Sequence, residues 1–85
     1  MRAEDFEDFQ YKYRKYLSAE FFGQEPPIKV EINPGGKIIV WIAPLKDFPL
    51  HDGEPGSWSR QSVLADLKSM GFKYIHKLNR YEYPD

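Results

Sequence analysis

The sequence predicts an α+β domain. A small antiparallel sheet of three or four strands, with elements running α-β-β-α-β-β, carries two helices on one face. Three observations predict it. Apolar residues recur at spacings of three and four in two separate stretches, the period of a helix face. After each stretch apolar and polar residues alternate, the period of a half-buried strand. Proline and glycine mark the changes of period. At 85 residues the chain is long enough for one domain, residues 1–85, and too short for two.

The first helix is predicted over Glu4–Phe22, where Phe6, Phe9, Tyr13, Tyr16, Leu17 and Phe21 fall on one face. Glu4, Asp5, Glu7 and Asp8 precede Lys12, Arg14 and Lys15, an order that suits the helix dipole and allows an Asp8–Lys12 pair. Gly23 and the pair Pro26-Pro27 stop it. Ile28, Val30 and Ile32 then alternate with Lys29, Glu31 and Asn33, and Asn33-Pro34-Gly35-Gly36 makes a hairpin turn. The return strand, Lys37–Ala43, is apolar on both sides: Ile38, Val40 and Ile42 on one, Ile39, Trp41 and Ala43 on the other. Such a strand is central in a sheet, or one of its sides is a contact surface.

Pro44–Gly56 reads as an ordered loop pinned by Leu45, Phe48 and Leu50. It is long for a compact domain, and loops of that length are often functional. Ser59 is the expected N-cap of the second helix, with Trp58 and Val63 spaced as a hydrophobic staple. Val63, Leu64, Leu67 and Met70 form its buried stripe, and Gly71 its left-handed stop, with Phe72 packing back on Leu67. In Phe72–Tyr83 the parity of Phe72 and Tyr74 differs from that of Tyr81 and Tyr83. A turn near Lys77-Leu78-Asn79 makes this a second hairpin, one continuous strand being the alternative. Each half of the chain thus runs helix, glycine, strand, turn, strand, proline, an echo of pattern and not a sequence repeat.

Composition narrows the function classes. A domain of this size buries roughly 60–65% of its unfolded surface, so nearly every element must contribute to one core. Aromatic residues make up 16% of the chain and add much buried area at low entropic cost. There is no cysteine, which excludes disulfides, thiolate metal sites and a cysteine nucleophile, and fits a reducing, cytoplasmic compartment. No apolar run approaches the roughly 20 residues of a membrane span, and Met1-Arg2-Ala3-Glu4-Asp5 lacks a secretory h-region, so no membrane partner is expected. Net charge is −1, with ten acids against seven bases over Met1–Gly56 and five bases against three acids over Ser57–Asp85.

No catalytic constellation is found. The two histidines, His51 and His76, have no serine placed for a triad, and Ser57, Ser59 and Ser62 read as loop and cap residues. His51-Asp52-Gly53-Glu54 holds residue types a metal could use, but Asp-Gly is also a turn dipeptide, and turn chemistry is the expected role. The acids of the first helix read as a solvated face. Asn33-Pro34-Gly35-Gly36-Lys37 lies between strands and lacks the spacing of a phosphate loop. No cofactor or metal is expected. Lys73-Tyr74-Ile75-His76-Lys77-Leu78-Asn79-Arg80-Tyr81 interleaves bases with aromatics, which suits unpaired bases and phosphates.

Ser59-Arg60-Gln61-Ser62-Val63-Leu64-Ala65-Asp66-Leu67-Lys68-Ser69-Met70-Gly71-Phe72 resembles the last helix of a winged helix-turn-helix, with Lys73–Tyr83 as the wing. That resemblance implies Ser59, Arg60 and Gln61 facing a DNA groove. It covers about a third of the chain and lacks the preceding helix, so the function is not carried over. The segment Leu67–Tyr74, followed by Arg80-Tyr81-Glu82-Tyr83-Pro84, is also similar to small helix–hairpin units of phage and plasmid proteins. That likeness implies a mobile-element origin and a protein that binds and inhibits a host enzyme.

The expected function is therefore non-enzymatic. The first reading is a protein-binding module, a phage-type inhibitor or accessory protein, whose contact face uses Ile39, Trp41, Tyr81 and Tyr83, or the acidic first helix. The alternative is a nucleic-acid-binding domain using Lys73, Tyr74, Lys77, Arg80 and Tyr81.

Overall fold

The computed structural model describes residues 2–18, 25–50, 53 and 56–84. Helix α1 spans Ala3–Lys12. The Arg2 N–H donates to Asp5 Oδ2 at 3.0 Å, which satisfies one otherwise open donor at the helix start. Glu4 and Asp5 in the first turn and Lys12 in the last match the dipole.

The helix does not run on to Phe22. It ends at Tyr13, a 3₁₀ turn covers Arg14–Leu17, and Ser18 is extended. Phe21, Phe22 and Gly23 lie outside the described residues. The aromatic positions explain the change. Tyr13 and Tyr16 are three apart, the 3₁₀ period, so both rings enter the core. The Tyr16 hydroxyl also accepts from the Trp58 N–H at 2.6 Å and donates to the Trp58 carbonyl at 2.9 Å.

Strand β1 is Ile28–Ile32 and β2 is Ile38–Ile42, joined by the expected turn. Asn33 organises that turn. Its carbonyl accepts from Gly36 N–H at 2.9 Å and its side-chain oxygen from Lys37 N–H at 2.9 Å, with Gly36 at φ +87°. A short 3₁₀ turn, Leu45–Asp47, follows β2. Helix α2 spans Arg60–Ser69, and the Ser59 hydroxyl caps it by accepting from Ser62 N–H at 3.1 Å. It ends in a Schellman motif: Phe72 N–H reaches the Leu67 carbonyl and Gly71 N–H that of Lys68, both at 3.0 Å, with Gly71 at φ +96°.

Strands β3, Lys73–Ile75, and β4, Arg80–Tyr83, form the second hairpin, so the continuous-strand alternative is discarded. Its turn runs from His76 to Asn79, with Asn79 left-handed at φ +53°. Tyr74 pairs with Tyr81, so both parities of the tail meet on one face.

The four strands form one antiparallel sheet in the order β1-β2-β4-β3. The doubly apolar β2 is central, the first of the two alternatives its pattern left open. The core joins Phe6, Phe9, Tyr13 and Tyr16 of the N-terminal segment to Val63 and Leu67 of α2 and to Ile28, Val40 and Ile42 of the sheet. Its aromatic row is close-packed, with ring centroids 5.6 Å apart for Phe6–Phe9, 4.9 Å for Phe9–Tyr13 and 6.4 Å for Tyr13–Tyr16. Only Phe48 of the three apolar residues expected to pin the long loop is buried, its ring 5.2 Å from that of Tyr16. Leu45 and Leu50 are instead 73% and 90% exposed.

Candidate binding surface on the open sheet face

Alternation along the strands sorts the expected site residues onto two faces. Ile38, Val40, Ile42, Tyr81 and Tyr83 take the helix side. By register, Lys29, Glu31, Ile39, Trp41, Arg80, Glu82 and Lys73 take the opposite, open side. The proposed contact set of Ile39, Trp41, Tyr81 and Tyr83 is therefore split two and two. Tyr81 and Tyr83 flank the core, and burial pushes the Tyr81 phenol above its ordinary pKa. Two residues of separation in β4 put both tyrosines on one face, and register with Ile38 and Val40 makes it the inner one.

The basic–aromatic set is split the same way. Lys73 and Arg80 lie on the open side, whereas Tyr74 and Tyr81 pack together on the helix side with centroids 4.9 Å apart. Tyr74 also donates its hydroxyl to Asn79 Oδ1 and meets His76 edge-on at 4.7 Å, while Lys77 sits in the turn. Two bases and two rings of the expected set thus lie on opposite faces of the sheet. Of the residues placed toward DNA by the winged-helix resemblance, Ser59 is used as the cap and Arg60 Nε donates to the Ala43 carbonyl at 2.7 Å.

At the centre of the open face lies a carboxylate that the sequence reading missed. Glu82 is only 6% exposed, opposite Ile39 on one side and Lys73 on the other. Arg80 Nε donates to it at 2.7 Å and Lys37 Nζ at 3.0 Å. These bonds, Arg80 first, hold its carboxyl below the ordinary glutamate pKa. The i,i+2 spacing of Arg80 and Glu82 in a strand was the available signal, since it places both on one face. Lys37 could be assigned only with the strand order in hand.

Ile39 is buried at 5% exposure, flanked across the strands by Glu31 and Glu82. Trp41 is half-buried and has no place among the residues that form or flank the core. The Arg80 guanidinium lies 5.6 Å from its ring centroid. Trp41 also lines an open groove of about 860 Å³, with Pro26, Lys29, Pro44, Asp47 and Pro49. The exposed Leu45 and Leu50 adjoin these groove residues in sequence. Among the described residues, the loop therefore lines the groove, and Trp41 stays outside the core cluster.

A second polar cluster joins the helices. The Tyr13 hydroxyl donates to Asp66 Oδ2 at 2.5 Å and bonds Ser62 Oγ at 2.9 Å, and Lys12 Nζ reaches the same Asp66 oxygen at 2.9 Å. The Lys12 ammonium also sits 4.5 Å from the Trp58 ring centroid. Asp66 thus takes the lysine for which spacing had allowed a pair with Asp8, and it also accepts from the buried phenol of Tyr13. Among the described residues the one imidazole, that of His76, lies against Tyr74 and not at this cluster, which docks the N-terminal segment on α2.

Among the described residues no group of three or more His, Asp or Glu could hold a metal ion, and no helix is long and apolar enough to cross a membrane. His51, Asp52 and Glu54 lie outside the described residues. No family model matches the chain, and neither the curated proteins nor the solved structures contain a match to it.

Proposed function

We propose that the chain is a non-catalytic protein-binding module whose contact surface is the groove walled by Trp41. The observation that carries this reading is apolar surface gathered at one end of the open face without a part in the core. Trp41, Pro26, Pro44 and Pro49 line the groove, and two exposed leucines stand in the same loop. A tryptophan beside a concave, preformed apolar wall is the usual kind of interface anchor. The proline rings are already fixed in φ, so little backbone entropy is lost when a partner seats on them. Glu25, Lys29 and Asp47 also line the groove, with Lys29 paired to Glu25, and the remaining negative charge favours a partner segment that carries a base.

The test uses peptides selected from a random library on the wild-type protein. Titration of a selected peptide is expected to shift the indole N–H resonance of Trp41 and leave that of Trp58 in place. Trp41→Ala is expected to lower affinity at least roughly thirtyfold, the range of a hot-spot residue, with the circular dichroism spectrum unchanged. Peptides that bind the folded Trp41→Ala variant as tightly as the wild type would overturn the assignment.

A further inference from the structure

We infer, on that reading of the groove, that Glu82 is a positioning residue for it. The Glu82 carboxylate holds the Arg80 guanidinium against the Trp41 ring, and the guanidinium fixes the indole that lines the groove. Neither Glu82 nor Arg80 is itself among the described residues that line it.

Register between the two central strands makes the arrangement possible. Ile39 pairs with Glu82, and the strands run antiparallel. Two residues on in β2 and two back in β4, Trp41 and Arg80 therefore share the next row of the open face. From that row Arg80 reaches both neighbours. Its Nε donates to Glu82 Oε2 at 2.7 Å, and its guanidinium lies 5.6 Å from the Trp41 ring centroid. Trp41 lies outside the core cluster, so the packing that fixes the core rings does not fix this one. A cation set against the ring supplies the missing restraint.

The restraint is only as firm as its anchor. A long arginine side chain on a strand face samples many rotamers unless a partner holds it. Glu82 is such a partner because it is itself held. It is buried beside the buried Ile39, and Lys37 Nζ bonds its second oxygen at 3.0 Å. Two charge-assisted bonds on one carboxylate that water reaches poorly exchange less readily than a surface pair. Lys73 of β3, opposite Glu82, is a third cation on the same face. Arg80 first, and then Lys37, keep the carboxylate ionised into acid below the ordinary glutamate range. The other acids nearby are Glu31, across from Ile39 on β1, and Glu25 and Asp47, which line the groove with Trp41. An indole fixed before binding gives up less entropy when a partner seats on it.

The experiment reads the Trp41 indole N–H and the Arg80 Nε–H of the free full-length chain by proton–nitrogen correlation spectra. Glu82→Val removes both bonds and keeps a strand-forming residue beside Ile39. It is expected to shift the Trp41 indole, to leave that of Trp58 in place, and to move the Arg80 Nε–H to the position of a solvated arginine. Arg80→Gln is expected to shift the Trp41 indole as well, and the double variant to show no further shift. In the wild type, the Trp41 indole is expected to titrate together with the Glu82 carboxyl carbon, below the ordinary glutamate range. The carboxyl carbons of Glu25, Glu31 and Asp47, followed in the same titration, separate their effects from that of Glu82. This titration needs no substitution, so it decides the matter even if Glu82→Val does not fold. With a groove peptide selected on the wild type, Glu82→Val and Arg80→Gln are each expected to lower affinity about threefold, and together no more than that, the size of one exposed cation–π contact. A Trp41 indole indifferent to Glu82→Val and to the titration of Glu82 would overturn the inference and leave the groove reading standing. So would an affinity unchanged by both substitutions for a peptide whose binding is lost with Trp41→Ala.

Discussion

Tyr13 is the residue on which the packing of the two helices turns. It is fully buried, its ring lies in the aromatic row, and its hydroxyl bonds both Asp66 and Ser62. Tyr13→Phe retains the ring and removes the bonds, so it is expected to destabilise the domain by about 1–2 kcal/mol. Urea unfolding at neutral pH measures this. The pH dependence has a definite sign. Burial, and then the bond to Asp66, raises the Tyr13 pKa above its ordinary value, and the bond to Asp66 raises that of Lys12. A raised folded-state pKa contributes stability that is complete below the unfolded pKa. It is lost as pH rises through the folded value. The wild type is therefore expected to lose stability in alkali, and Tyr13→Phe to lose less over the same range. Equal alkaline losses in the two proteins would remove Tyr13 from the account.

Among the elements, α2 was the most legible in the sequence, because its ends rest on local chemistry. Ser59→Ala removes the cap and is expected to cost about 1 kcal/mol. Gly71→Ala is expected to cost more, on the order of 2 kcal/mol, for two reasons. Gly71 sits at φ +96°, and an added Cβ would lie 3.2 Å from the Tyr83 ring. Thermal unfolding of both variants checks the order. The β1–β2 hairpin was legible for the same reason, through Asn33 and Gly36. The length of α1 was not, because its period of three and four runs unbroken through Tyr13 and Tyr16. The tighter turn is favoured by contacts far along the chain, among them the bonds from Tyr16 to Trp58, 42 residues on. The split of the candidate site was hidden likewise. The sequence places Ile39 with Trp41 and Tyr81 with Tyr83, but which pair faces the helices depends on register between β2 and β4. The ion pair of Lys37 with Glu82, 45 residues apart, depends on it too.

For the molecule as a whole, the core lies on one side of the sheet and the proposed contact groove at the other, and the loop after β2 takes part in both. Phe48 drives that loop into the core, while Pro44, Asp47 and Pro49 around it line the groove. The groove therefore has its shape only in the folded state. Phe48→Ala is expected to cost about 3–4 kcal/mol, the usual loss for a buried phenylalanine. A domain of this size holds roughly 4–12 kcal/mol in all, so much of its margin would be gone. Trp41→Ala, at a half-buried position outside the core, is expected to cost only about 1 kcal/mol. A groove ligand binds the folded chain alone and raises its apparent stability by mass action. Thermal scans with a saturating groove peptide are thus expected to raise the melting temperature of the wild type and, from a lower start, that of Phe48→Ala. Trp41→Ala is expected to melt near the wild-type temperature and to gain much less than the wild type from the same peptide concentration. If Trp41→Ala instead melted as low as Phe48→Ala, Trp41 would belong to the core, and the division between the two faces would fail.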